Sequence, residues 1–168
     1  MERTFAVINE RVAEGVIENY AVAGAIGAMF YVEPFSTKDL DVFVLTPEAQ
    51  LVLEIPGLNY LKARGYTEWR NEGIVIEGWP VRFMPVANAL EREAYENAQE
   101  KNVDGVPVRV VLPEHLVAIM LQVGRLKDFA RVDMFLSQQA VDVEALNDIL
   151  KRHMLVDKFT EYRKRSTV

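Results

Sequence analysis

The chain of 168 residues predicts an α+β fold, a small mixed β-sheet with helices packed on it and a helical bundle at its C-terminal end. Three observations carry that prediction. Asp39 to Leu45 contains the unbroken apolar run Val42 to Leu45 and is stopped by Thr46-Pro47, the pattern of a buried strand. Tyr66 to Arg70, Ile74 to Glu77 and Pro80 to Pro85 are aromatic or β-branched runs, separated by Asn71-Glu72-Gly73 and Gly78-Trp79, which suit hairpin turns. From Pro113-Glu114 onward the apolar residues fall at helical spacing only.

Taken in order, Phe5, Val7, Ile8, Val12, Val16 and Ile17 recur among Glu, Arg and Asn and predict an amphipathic helix over Thr4 to Asn19. A first strand over Tyr20 to Ala23 and a helix over Ala25 to Tyr31 follow, and Pro34 ends the helix before the strand of Asp39 to Leu45. Glu48 to Gly65 reads as mostly helical, broken at Pro56-Gly57 and restarting through Leu58, Leu61 and Lys62. The meander of Tyr66 to Pro85 extends the sheet. A helix over Asn88 to Gln99 precedes a turn at Asn102 to Gly105 and a strand over Val106 to Leu112. Helices over Pro113 to Gly124, Leu126 to Gln138, Val143 to Lys151 and Val156 to Arg165 complete the chain, with Pro113 suited to a first turn and Asp142 placed as a cap. The expected organisation is an α/β core over 1–112 and a helical subdomain over 113–168.

Composition narrows the function classes. The most apolar stretch, Val16 to Val32, is interrupted by Glu18, Asn19, Gly24 and Gly27, too broken to span a membrane. MERTFAVINE carries charges where a signal peptide has its apolar core, so cytoplasmic residence is the expectation. No cysteine and only two histidines argue against a zinc enzyme. The net charge of −6 argues against general adhesion to DNA or other nucleic acid. The last eighteen residues are locally basic, through Lys151, Arg152, Lys158, Arg163, Lys164 and Arg165. They suit either a solvated helix end or contact with nucleic acid or an acidic partner.

The residues whose spacing suits chemistry lie between Tyr20 and Leu45. Asp39 and Asp41 project from one face of their strand, about 7 Å apart at Cα. Two carboxylates there repel each other and need water, cations or metal, and magnesium takes one or two carboxylates plus substrate phosphates. As ordinary strand-edge acids beside Lys38 they need none of this. Upstream, Gly24, Ala25, Gly27 and Ala28 permit a tight turn into a helix whose amide end faces a phosphate. With Thr37-Lys38-Asp39-Leu40-Asp41 downstream, the chain resembles the nucleotidyltransferase superfamily, and within it the AbiEii-type toxin branch. The resemblance implies a nucleotidyltransferase-type sheet and Mg2+-dependent transfer of a nucleotide from an NTP to an RNA or protein hydroxyl. It also implies a place in a toxin-antitoxin pair, with a cognate antitoxin or regulatory protein as partner. Asp39 and Asp41 would then be catalytic and ligate the metal, while Gly24, Ala25 and Thr37 would hold the nucleotide. Lys127 and Asp128, in the run Lys127-Asp128 to Asp133, match a cleft-facing lysine motif of that branch, with Asp128 orienting the lysine. An ordinary Asp128–Arg131 helix pair is the plainer reading of the same residues.

Three positions depart from the family pattern. Arg82 stands where a third carboxylate is expected; there it would pair with both aspartates and occupy the cation site. Glu77 is the other candidate for the third acid, or else a hairpin surface residue. Phe35 replaces an arginine, and Gly24-Ala25 lacks the hydroxyl of a Gly-Ser turn. These departures open a second reading, a catalytically degenerate member serving as a partner-binding or regulatory module. His115 and His153 are expected at the surface or at helix ends.

Overall fold

The computed structural model describes residues 1–45 and 57–166. Helix α1 (Glu2–Ala13) is followed by β1 (Tyr20–Val22), α2 (Gly24–Ala28) and β2 (Leu40–Val44). Next come α3 (Leu58–Ala63), β3 (Trp69–Arg70), β4 (Gly73–Ile76), β5 (Trp79–Pro85), α4 (Ala89–Glu96), β6 (Gln99–Val103) and β7 (Val106–Val110). The chain closes with α5 (Pro113–Val123), α6 (Leu126–Ser137), α7 (Val143–Arg152) and α8 (Val156–Ser166). The fold is α+β, as the sequence predicts. The Thr46-Pro47 break and the helical reading of 48–56 lie outside the described residues; only its continuation, α3, is seen.

Seven strands form one mixed sheet in the order β3-β4-β5-β2-β1-β7-β6. The pairs β2–β5 and β1–β7 are parallel and the other neighbours antiparallel. Three hairpins close on two-residue turns in which both residues have positive φ: Asn71-Glu72, Glu77-Gly78 and Asp104-Gly105. That backbone twist matches the twist of paired strands; Asn71, Gly78, Asp104 and Gly105 suit it, while Glu72 and Glu77 adopt it against their preference.

Alternation along the strands sorts two cores. Tyr20 and Val22, Leu40, Val42 and Val44, and Val81 and Phe83 face α1 and α3, where Phe5, Ile8 and Leu61 complete the packing. Ala21, Ala23 and Phe43 face the other way, onto α4 to α8, with Leu90, Leu116, Phe135, Leu146 and Phe159. The C-terminal helices therefore share a core with the centre of the sheet.

Four elements differ from the sequence reading, two of them by being shorter: α2 stops at Ala28 rather than Tyr31, and β3 keeps only Trp69–Arg70 of the expected Tyr66 to Arg70. Helix α1 ends at Ala13 rather than near Asn19, because Gly15 turns left-handed at φ +69 and the amides of Gly15 and Val16 bond back to Val12 and Arg11. Gln99–Val103 is strand, not helix tail and turn: this polar segment pairs antiparallel with β7 at a sheet edge. The four C-terminal helices match the expected ones within two residues, and Asp142 caps α7, its carboxylate accepting from the amides of Glu144 and Ala145.

Candidate functional site

Strand alternation places the site. With Leu40 and Val42 committed to the α1 face, Asp41 and Phe43 must point the opposite way, as must Arg82 and Met84, which alternate with Val81 and Phe83. The β2–β5 register sets Asp41 directly opposite Arg82. All four line one cavity of about 440 Å³, together with Asp39 and, from the turn after β1, Gly24.

Gly24 is required by two constraints at once. It has φ +58, and a Cβ on it would stand 2.9 Å from Asp41 Cγ. The small-residue turn is thus the surface against which Asp41 packs. Helix α2 behind it is only five residues long, so its amide end offers a short dipole.

Both aspartates meet Arg82. Its Nε donates to Asp41 Oδ1 at 2.7 Å and its Nη2 lies 2.5 Å from the same oxygen. Asp39 Oδ2 is 3.5 Å from Nε, and Glu72 Oε2 is 3.8 Å from Nη1. The Asp41 side chain is only 13% exposed. Burial holds its carboxyl above the ordinary carboxylate range, Arg82 pulls the other way, and Asp39 adds to the rise. Burial acts to lower the Arg82 guanidinium, but Asp41, Asp39 and Glu72 together outweigh it and raise it. Thr37 stands outside the cavity lining; its hydroxyl lies 3.4 Å from both the carbonyl and Oδ1 of Asp39, so it positions that residue rather than facing a ligand. Glu77 lies in the hairpin turn, accepting from the Tyr66 hydroxyl at 2.7 Å, away from the two aspartates.

The opposite wall comes from the start of α6. Lys127 and Asp128 both line the cavity. Asp128 is 1% exposed and accepts from Arg125 Nε at 2.7 Å, from Arg125 Nη2 at 3.2 Å and from the Arg125 amide at 3.3 Å. Arg131 Nη1 lies 3.7 Å away, the i,i+3 pair expected on a helix. Asp128 therefore orients Arg125 and Arg131, not Lys127 as the family motif implies. Arg131 also lies over the Phe35 ring, 5.0 Å from its centroid, so α6 brings a guanidinium to the place where Phe35 stands for an arginine. Asp133 is drawn elsewhere and accepts from the Tyr162 hydroxyl on α8. Arg125 and Arg131 were missed as site residues because only the i,i+3 spacing hinted at their shared carboxylate.

The histidine expectation holds for one residue and fails for the other: His153 ends α7 as its C-cap, whereas His115 is buried. His115 is 4% exposed, and both it and His153 turn onto Glu93 of α4 rather than outward to water.

The metal expectation can be tested on the donor set. Among the described residues no group of three or more His, Asp or Glu side chains could hold a metal ion. In the cleft a guanidinium bridges the two aspartates where a third carboxylate is expected. These residues do not fit a two-metal centre.

Nearly the whole chain aligns with solved structures. The crystal structure of an antigenic nucleotidyltransferase-like protein from Paracoccidioides brasiliensis superposes with a TM-score of 0.58 over 97% of this chain and 91% of that one, at 13% identity. The fold is nucleotidyltransferase-like. ANT(2")-Ia in complex with adenylyl-2"-tobramycin also aligns, with a TM-score of 0.47 over 96% of this chain and 98% of that one, at 13% identity. No protein-family model and no curated protein sequence matches the chain. Among the described residues of this nucleotidyltransferase-like fold, no helix is long and apolar enough to cross a membrane.

Proposed function

We propose that the protein is a catalytically degenerate member of the nucleotidyltransferase-like fold, acting as a partner-binding or regulatory module. The observation that carries this reading is Arg82, which faces Asp41 across the β2–β5 register and bridges both aspartates from within the chain. A partly buried guanidinium–carboxylate pair competes directly with a divalent ion for the same oxygens. The charged side chains around the cavity also balance, four acids against four bases, so a polyphosphate meets little net attraction without a metal. Such a cleft suits a ligand or protein segment bearing both signs of charge.

Manganese binding followed by electron paramagnetic resonance tests the reading. The wild-type chain should leave micromolar Mn2+ free, while Arg82→Asp, which supplies the third carboxylate, should bind it. Stoichiometric Mn2+ binding by the wild type, lost in Asp41→Asn, would overturn the proposal.

A second reading keeps the transferase of the AbiEii sort, with Mg2+, an NTP, an RNA or protein hydroxyl as acceptor and an antitoxin as partner. It is favoured by the convergence of Asp39, Asp41, Gly24, Ala25 and Lys127 on one cavity. It needs Arg82 to turn away from the acids. Calorimetric titration with NTP and Mg2+ separates the two: heat that depends on Asp41 supports the transferase, and silence supports the degenerate module.

A further inference from the structure

Both histidines of the chain meet one carboxylate, far apart in sequence and away from Arg82. Glu93 of α4 lies with Oε1 3.2 Å from His115 Nε2 of α5 and 2.5 Å from Arg152 Nη2 in the last turn of α7. Its Oε2 lies 2.6 Å from Nε2 of His153, the C-cap of α7. His115 is 4% exposed, and its Nδ1 is buried with no hydrogen-bond partner among the described residues. Apart from the Asp142 amide at its N-cap, which donates to Glu114 of α5, the rest of the α7 contact is apolar, through Leu146, Ile149 and Leu150. The polar fastening of this helix to α4 thus runs through a single acid.

We infer that Glu93, His115, His153 and Arg152 form an acid-releasable latch that holds α7, and with it α8, against α4 and α5. With Glu93 ionised and each neutral imidazole carrying its proton on Nε2, the carboxylate accepts from three donors. A second proton on His115 must go to Nδ1, which faces no acceptor in the interior, so protonation favours a state in which the ring reaches water. The charged groups around His115 act in both directions. Glu93 from α4 and Glu114 from its own helix favour the proton, while Arg152 from α7 opposes it. Glu114 is itself engaged, accepting from the amide of Asp142 ahead of α7, and on α7 Asp148 lies beside Arg152 and pairs with Lys151. Burial outweighs these charges and holds the His115 imidazole below its ordinary value of 6.5. Release would reach the cleft, since Glu91 of α4 and Leu116 of α5, close neighbours of the latch residues, line its wall.

Hydrogen exchange on the full chain, read as protection relative to intrinsic rates at pH 7.5 and 5.5, tests the latch. Protection of α7 and α8 amides should fall below pH 6.5 by up to about tenfold per pH unit, the limit for one linked proton. Amides of β2 and β5 should hold. In His115→Gln, which can still donate to Glu93 but does not titrate, the fall should vanish. Equal falls in both proteins, no fall in the wild type, or a fall shared with the sheet would each overturn the inference. If the variant does not fold, the wild-type imidazole resonances decide. His115 titrating below 6.5 in step with α7 supports the latch, and titration at or above 6.5, or out of step with α7, sinks it.

Discussion

Two charged clusters sit on the same side of the sheet and are built inversely. In the cleft one cation, Arg82, is shared by Asp39 and Asp41; at the α4–α5–α7 seam one acid, Glu93, is shared by Arg152 and two imidazoles. The first lines a cavity, and its arginine has Glu72 as a third, exposed neighbour. The second joins helices distant in the chain and includes a ring with 5% side-chain exposure. A charge cluster that lines a cavity is available to a ligand, whereas one that closes a seam holds elements together. Removing an acid should therefore cost more stability at the seam than at the cleft.

The largest effect expected is from Glu93→Ala, which strands His115 in the interior and unties Arg152 and His153. It should lower unfolding stability by about 3 kcal/mol in urea titration, the range for breaking a partly buried charged network. A loss below 1 kcal/mol would dissolve the contrast between the clusters. Next is Gly24→Ala, which forces a side chain into φ +58 and against Asp41, at about 2 kcal/mol in the same titration. The pH profile sharpens the comparison. Hydrogen bonds from Arg152, then from His153 and His115, hold the Glu93 carboxyl down at about 2, although burial pushes it up. A folded value below the unfolded 4.5 means that this stabilisation is complete above 4.5 and drains away as pH falls toward 2. Its slope is at most about 1.4 kcal/mol per pH unit, and Glu93→Gln should remove it from an acid-unfolding series. Asp41→Ala, by contrast, leaves Arg82 with Asp39 and Glu72 and should cost under about 1 kcal/mol. Smallest of all is Lys127→Ala: the side chain is exposed and without an ion pair among the described residues, so stability should stay within about 0.5 kcal/mol.

What the sequence disclosed follows the same division. The shared face of Asp39 and Asp41, and the glycine turn beside them, were legible because strand periodicity and φ preference are local properties. Arg82 was legible as an anomaly, since the family frame marked its position, and its pairing with the acids matches what its charge dictates. The C-terminal helices were legible from apolar spacing, from Pro113 in the first turn of α5 and from the cap Asp142. Strand β6 was not, because Gln99 to Val103 is polar and adopts its shape only through pairing with β7 at the edge. Nor was the burial of His115, whose partner Glu93 lies 22 residues away on another helix. Asp128 shows the limit most clearly: its i,i+3 bond to Arg131 was foreseeable, whereas its grip on Arg125 depends on where the α5–α6 turn points.

The parallel pairing of β1 with β7 also governs how the chain emerges during synthesis. Val22 sits near the middle of the sheet, yet its neighbour on one side, Val110, is translated 88 residues later. At ordinary ribosomal speed that interval is roughly 5 to 20 seconds, during which one border of a central strand has no protein partner. The nascent polypeptide must keep that border from adhering to other chains until its own later half arrives.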